Sequence, residues 1–350
     1  MSTETAEEKK EESVPASAAP VTQPEGGAAV LKTHRSFSLS FVNTKLLSYI
    51  LKRIGMAVLT IFFVITITFW AMNAIPGGPF DSEKAVSAAT KALLNAEYGL
   101  DKPVFQQYLS YLWRAFIWDF GPSIKQKGRL VIDILNDGFS ISGKIGAIAL
   151  ALATVSGIIF GSIAAVHQNK FIDRLIMVFS TASVAMPSFV IATLLLLIFC
   201  VQLKWLPASA ALSPAGYILP VLTLSLYPSA YITRMTRSST LDVLNQDFIR
   251  TARAKGLPKS KVIFKHALRN SLTPIITYLG PEFAFIITGS LVVEQVFSIG
   301  GLGRYYLSSI TGRDYTLIMG TTIFLTDIMV IMILISDILY VVANPKVDFD

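Results

Sequence analysis

The sequence predicts an all-α membrane protein, a bundle of six spanning helices with a polar outer region between the first and second spans. Hydrophobic residues make up 53% of the 350-residue chain and charged residues only 15%, well below the roughly 25% usual for soluble domains. Six apolar runs are each long enough to enter or cross a hydrocarbon layer ~30 Å thick as helices. Lys and Arg gather beside alternate ends of those runs, which is what membrane orientation requires. The mean hydropathy of +0.57 agrees. The net charge of +7 therefore belongs to span flanks rather than to a nucleic-acid surface.

Taken in order, residues 1–44 open with Glu7-Glu8-Lys9-Lys10-Glu11-Glu12 and continue rich in Ala, Pro, Gly and Ser. Such a stretch cannot bury enough apolar surface to order itself and predicts a disordered cytoplasmic tail. It lacks the basic start, apolar middle and small-residue cleavage site of a secretory signal. Ile54–Ile75 is the first span, 22 residues without a charge, about 33 Å as a helix. Lys45, Lys52 and Arg53 before it place the amino terminus inside. Residues 76–143 are then outside. There Asp101 is placed to cap a helix with Pro103 in its first turn. Phe105, Tyr108, Leu109, Leu112 and Phe116 follow at helical spacing. Either a helix at headgroup level or a small packed outer subdomain answers that pattern.

Gly138–Lys144 imitates a phosphate-binding loop, but Ile145 stands where Ser or Thr would hold magnesium, and no strand precedes it. Ile145–Val166 is the second span, with Gly157 and Gly161 spaced for close helix contact. A short basic turn, 167–174, leads to the third span, Leu175–Leu203, which Pro187 should kink. The fourth, Tyr217–Thr233, contains Pro220 and Pro228. The fifth, Ile275–Val293, holds Glu282, and an outer loop, 294–314, carries Gly300, Gly301 and Gly303. The sixth, Tyr315–Val342, holds Asp327 and Asp337 and ends at Asn344-Pro345-Lys346, with 344–350 cytoplasmic. One cysteine, Cys200, excludes an intrachain disulfide, and the three scattered histidines have no metal-ligand spacing. No catalytic constellation is present.

The stretch between the fourth and fifth spans is the most informative. From Arg234 to Arg269 there are nine Lys/Arg against two carboxylates, Asp242 and Asp247, so it is cytoplasmic. Phe248, Ile249 and Ala252 fall on one helical face, Gly256 stops that helix, and Pro258 favours a fresh start. Val262, Ile263, His266, Ala267 and Leu268 continue at helical spacing. A helix–Gly–helix with a basic rim, held under a membrane, suits a grip by something soluble.

These residues resemble the cytoplasmic loop of ABC importer permeases, whose E-A-A-x3-G-x9-I-x-L-P pattern is matched at Ala252, Gly256 and Leu268. The run RTARAKGL…HALRNSLTPII (from Arg250) looks like the peptide/nickel branch, which departs from the general pattern in the same way. The likeness extends to LLSYILKR (46–53), Ile75-Pro76-Gly77-Gly78, the run Val292–Phe297 and Gly301-Leu302-Gly303, over residues 45–345. Proline is usual in the family where Gly300 stands, which implies a looser outer loop here.

The resemblance implies a type I importer bundle (spans in 45–75 and 144–343, coupling loop 234–273) acting as one permease subunit of an ATP-driven peptide importer. It further implies a second, similar permease, two ATPase subunits carrying ATP and magnesium, and an external binding protein. The chain itself would hold no cofactor, and would not be an enzyme. Asp247, Phe248, Ile249, Arg250, Thr251, Ala252, Lys255, Gly256 and Leu257 are then the ATPase-coupling residues. Phe248, Ile249, Ala252 and Leu257 would fill a groove while Arg250 and Lys255 pair at its rim. Nickel is the alternative substrate. A proton-driven secondary transporter is the rival class, which the intramembrane carboxylates Glu282, Asp327 and Asp337 suit. Glu282 and Asp327 are the candidate substrate-pathway residues, whereas Asp337, nearer the cytoplasmic edge, is expected to pair with a local Arg or Lys.

Overall fold

The computed structural model describes residues 39–80, 87–209, 213–288 and 291–343. Most of the 1–44 tail and the 344–350 terminus, including Asn344-Pro345-Lys346, lie outside the described residues. The described regular structure is helical apart from one isolated bridge, Pro122 with Leu130.

Helix α1, Leu39–Ala74, begins before the predicted span, because the polar residues ahead of Ile54 carry no breaker. Three helices follow in the outer region and the second span: α2 (Ala88–Glu97), α3 (Val104–Phe116) and α4 (Val131–Val166). Asp101 does not cap α3. Pro103 occupies the cap position and supplies no side-chain hydrogen bond. Its fixed φ starts the helix without one.

One face of α3 is packed and the other is exposed. Tyr108, Tyr111, Leu112 and Ala115 pack inward against Ile65 and Phe69 of α1 and Leu317 of the last helix. Tyr108 and Thr66 share a hydrogen bond of 2.9 Å. Tyr111 donates to the Tyr315 carbonyl at 2.8 Å, and burial pushes its phenol well above the ordinary range, so it remains a donor. Phe105, Trp113 and Phe116, the last 80% exposed, cover the opposite face. This is the surface a lipid headgroup layer accepts.

Gly138–Lys144 lies inside α4, in continuous helix rather than a loop. The third span is broken, not kinked. Helix α5 (Phe171–Ala185) stops before Pro187, and α6 (Ser188–Leu195) with a π-helical turn (Leu196–Gln202) leaves at 105°. Pro187 lacks the N–H and fixes the residue before it away from helical geometry. Helix α7, Ile218–Leu244, follows a 3₁₀ turn (Pro214–Tyr217) and carries Pro228 in its interior. The segment between the fourth and fifth spans contains α8 (Asp247–Ala254), α9 (Lys259–Lys261), a π-helical turn (Val262–Leu268) and α10 (Arg269–Ser271). Helices α11 (Thr273–Ile287) and α12 (Leu291–Val296) make the fifth span. The outer loop after it is largely helical, with α13 at Leu302–Gly312, and α14 (Tyr315–Ala343) is the last span.

Among the described residues five helices are long and apolar enough to cross a membrane, six if the bent α5–α6 pair is one span. Arg53 pairs with Asp337 at 2.7 Å, as expected for that carboxylate. The pair brings the start of the first span beside the end of the last. An even number of crossings follows, so α5–α6 counts as one. Its packing agrees: Asp173 at its start meets Arg237 near the end of α7. Ala192, Leu195 and Leu196 pack with Leu219 at the beginning of α7 and Val293 of α12.

Helices α4 and α7 pack along their length at the centre. Gly157 and Gly161 make this possible. A Cβ on Gly157 would lie 2.7 Å from Ile232, and one on Gly161 would lie 2.5 Å from the Thr233 carbonyl. Ser156 and Ser229 share a 2.8 Å hydrogen bond across the same seam.

Candidate functional site: the helix between the fourth and fifth spans

Helix α8 is short, and short helices are marginal alone, so its position depends on its ends and its underside. Asp247 in its first turn and Arg253 in its last complement the helix dipole. At its end the Gly256 N–H donates to the Arg253 carbonyl at 2.9 Å, and the Leu257 N–H donates to the Ala252 carbonyl at 3.4 Å. These are the two bonds of a Schellman stop. Gly256 has φ +74° and open space around it, so what demands glycine is the backbone, not crowding.

The underside is a small core of Val243, Ile249, Ala252, Val262 and Ala267, with Leu244 and Leu257 packed against it. Thr240 of α7 donates to Ser271 at 3.0 Å and ties the far end of the segment to the bundle. Two expected groove-fillers are thereby reassigned: Ile249 is 0% exposed and Ala252 is buried, so both face their own chain. Leu257 is half-buried on the same core. What points away is Asp247, Phe248, Arg250, Thr251 and Lys255, with Phe248 40% exposed. Arg250 and Asp247 lie 3.4 Å apart, an exposed pair worth little by itself. A cavity of about 520 Å³ lies beside α8, between Val166 and Gln168 on one side and Arg253 and Leu257 on the other. The element is a rigid outward display anchored by an apolar foot.

The pathway candidates separate. Glu282 is half-buried on α11. Asp327 is 7% exposed, enclosed within the subunit on α14, and its Oδ1 has no hydrogen-bond partner among the described residues. It does not lie on an open face of this chain. Besides Asp173, two buried carboxylates were not singled out for any role by sequence reasoning. Glu294 accepts from Ser142 Oγ at 2.7 Å and from the Arg304 N–H at 3.1 Å, and Ser142 accepts from the Leu302 N–H at 2.9 Å. The expected looseness around Gly300 is therefore offset by a clamp on both sides of it. Asp314 accepts from Ser123 Oγ at 2.5 Å and from the N–H groups of Ile124, Lys125 and Leu317. An Asp three residues before the apolar run of α14 was the signal available for it. Among the described residues no cluster of His, Cys, Asp and Glu is arranged for a metal.

Residues 157–349 match the family model described as binding-protein-dependent transport system inner membrane component. The chain belongs to that family. Residues 46–134 match the N-terminal model of such membrane components. The chain is 44% identical over 299 residues to the dipeptide transport system permease protein DppB of Bacillus subtilis, covering 85% of this chain and 97% of that one. Identity to the oligopeptide transport system permease protein OppB of Haemophilus influenzae is 43% over 306 residues, covering 87% of this chain and 100% of the relative. For OppB of Escherichia coli K12 it is 41% over the same length and shares. This permease is thus a multi-pass inner membrane subunit of a transport system and not itself an enzyme. Membership implies a binding protein and an ATPase as its partners. The proton-driven secondary transporter is set aside.

Proposed function

We propose that this permease is one half of the translocation pathway of a peptide importer, paired with a second, similar permease and driven by two ATPase subunits. The similarity to DppB and OppB, which spans nearly the whole of those proteins, supports peptides over nickel. Both termini are cytoplasmic in this reading, in keeping with the Lys/Arg beside Ile54 and in 234–269.

One observation carries the coupling role. Helix α8 buries Ile249 and Ala252 in its own chain yet leaves Phe248 and a polar, basic face uncovered. An exposed aromatic on a rigidly seated cytoplasmic helix matches the anchor residue of an interface. ATP binding closes the ATPase pair, α8 follows, and its apolar foot passes the movement to the end of α7. The energy comes from the ATPase's differential contact with the two states.

The test is co-purification and peptide uptake by the reconstituted complex. ATPase subunits should be retained by the wild-type chain and weakened by Phe248→Ala. Retention and coupled uptake unchanged in that variant would remove the docking assignment.

A further inference from the structure

The exposed residues of α7 are Ile218, Tyr227, Tyr231, Ser238 and Asp242. From Tyr227 onward they recur at intervals of four, seven and four residues, which places them on one stripe of the helix. That stripe has no aliphatic side chain. The exposed faces of α1 and α5 differ, with Val58, Phe62, Phe63 and Ile67 on one and Val178 and Phe179 on the other. Those faces suit lipid, and the α7 stripe does not.

Tyr227 is 48% exposed and Tyr231 37%. Tyr231 lies at the middle of α7 and two residues before the end of the predicted fourth span, about one turn from Arg234. Its ring stacks on Tyr278 of α11, with centroids 4.5 Å apart and planes 25° apart. Glu282 lies one turn beyond Tyr278 on α11, and Tyr227 one turn before Tyr231 on α7, so each pair shares a helix face. The Tyr278 hydroxyl is buried without a well-aligned hydrogen-bond partner. No Lys, Arg or His among the described residues pairs with Glu282.

Both helices are also interrupted at this level. Pro228 lies inside α7 and Pro281 inside α11. The Leu224 and Thr277 carbonyls consequently lack their usual helical N–H donors. A half-buried carboxylate, aromatic faces and two under-used carbonyls make a set of acceptors and π surface with no resident cation. An ammonium group satisfies all three.

We infer that Tyr227, Tyr231, Tyr278 and Glu282 form a station that takes the positively charged amino terminus of the peptide in transit. The inference rests on the reading of the chain as a peptide permease. A free amino terminus is the one cation that peptides share whatever their side chains. A station of this composition therefore passes varied sequences while keeping a preference for an unmodified end.

The test uses the full complex in proteoliposomes, with its binding protein saturated by one peptide or by its N-acetylated form. Uptake of the two is compared in wild type, Glu282→Gln and Tyr231→Leu. The binding protein is the same throughout, so its own preference cancels between wild type and variant. Both variants should keep assembly and basal ATPase activity, and the free-to-acetylated uptake ratio should fall by about tenfold, within the range of a desolvated cation–π contact. A ratio unchanged from wild type overturns the station, as does an equal loss for both peptides. Loss of the second permease from the Tyr231→Leu complex also overturns it and makes the stripe a subunit interface. Failure of both variants to assemble reduces the cluster to a structural role. Wild type that takes up neither peptide sinks the peptide reading itself, a result separate from all of these.

Discussion

Asp173 accepts two hydrogen bonds from Arg237, at 2.6 and 2.7 Å, and a third from the Asn169 N–H at 2.8 Å. The carboxylate is buried and the guanidinium mostly so. This fork fastens the start of α5 to the C-terminal part of α7, whose cap, Asn245, α8 follows closely. In the proposed coupling, movement of α8 reaches two spans at once, through the apolar foot into α7 and through the fork into α5. Removing either partner leaves the other buried and unpaired. Arg237→Ala or Asp173→Ala should each destabilise the purified complex by roughly 3 kcal/mol, while the double variant with both changes costs less than the sum of the two. Thermal unfolding of wild type, the two single variants and the double variant in one detergent or nanodisc preparation gives the coupling energy directly. Additive single changes would show that the fork contributes little.

The Schellman stop at Gly256 supplies the next expectation. Nothing crowds the position, so Gly256→Val acts only by forcing a β-branched residue into φ +74°, at a cost of about 1–2 kcal/mol. Insertion and assembly should survive, since the strain is local. Uptake per ATP hydrolysed should fall, and Gly256→Asn, which tolerates the left-handed region, should retain more. Equal coupling in Val and Gly forms would leave α8 indifferent to how it ends.

Adjacent residues on α8 should fail in opposite ways. Ile249→Ala opens a cavity in the apolar foot and should cost about 2–4 kcal/mol of stability. Phe248→Ala removes an exposed ring, so melting should stay within ~0.5 kcal/mol of wild type while ATPase retention drops. A stability loss from Phe248→Ala as large as that from Ile249→Ala would place both residues in the foot.

The particular elements show how far the sequence could be read. Apolar runs and flanking Lys/Arg located the spans, because burial in lipid constrains every residue of a helix. Gly256 was legible because only a left-handed turn needs glycine between two amphipathic runs. Which face of α8 looks outward was not legible. Helical period groups Phe248 with Ile249 and Ala252, and only the position of Val243 and Val262 beneath the helix decides that Phe248 stays out. The same limit applied to Pro187. A proline announces an interruption, but whether the chain bends slightly or turns through 105° is set by what α6 packs against, Leu219 and Val293. Glu294 and Asp314 were hidden for a similar reason. Their partners lie far off in sequence, at Ser142 and Ser123. The tyrosine cluster combines two helices whose apposition no local pattern reveals.

Topology is open to a direct measurement. Lys102 and Ser260 are both exposed, on opposite sides of the membrane in the proposed orientation. In a Cys200→Ala background, Lys102→Cys should react with an impermeant maleimide on spheroplasts of intact cells, and Ser260→Cys only after permeabilisation. Reaction of position 260 in sealed cells would invert the orientation and with it the assignment of α8 as a cytoplasmic element.

The seam between α4 and α7 yields the last expectation. Val substitution at Gly161 would put its Cβ 2.5 Å from the Thr233 carbonyl and from Thr236 Cβ, and neither can withdraw easily because both are on the central helix. At Gly157 the clash is with Ile232, which is fully buried. Overpacking of an enclosed contact costs about 1–3 kcal/mol, and here backbone must move, so the upper end applies. Even alanine should be felt at Gly161. Gly55 is the contrast: it lies in α1, and a Cβ added there would meet nothing within 4 Å. Gly55→Ala therefore removes only glycine's helix penalty of about 1 kcal/mol and should be neutral or slightly stabilising. Thermal unfolding of the assembled complex should order the variants as Gly55→Ala, then Gly161→Ala, then Gly161→Val, from most to least stable. If Gly161→Val melts with Gly55→Ala, the helices are not in contact along this seam.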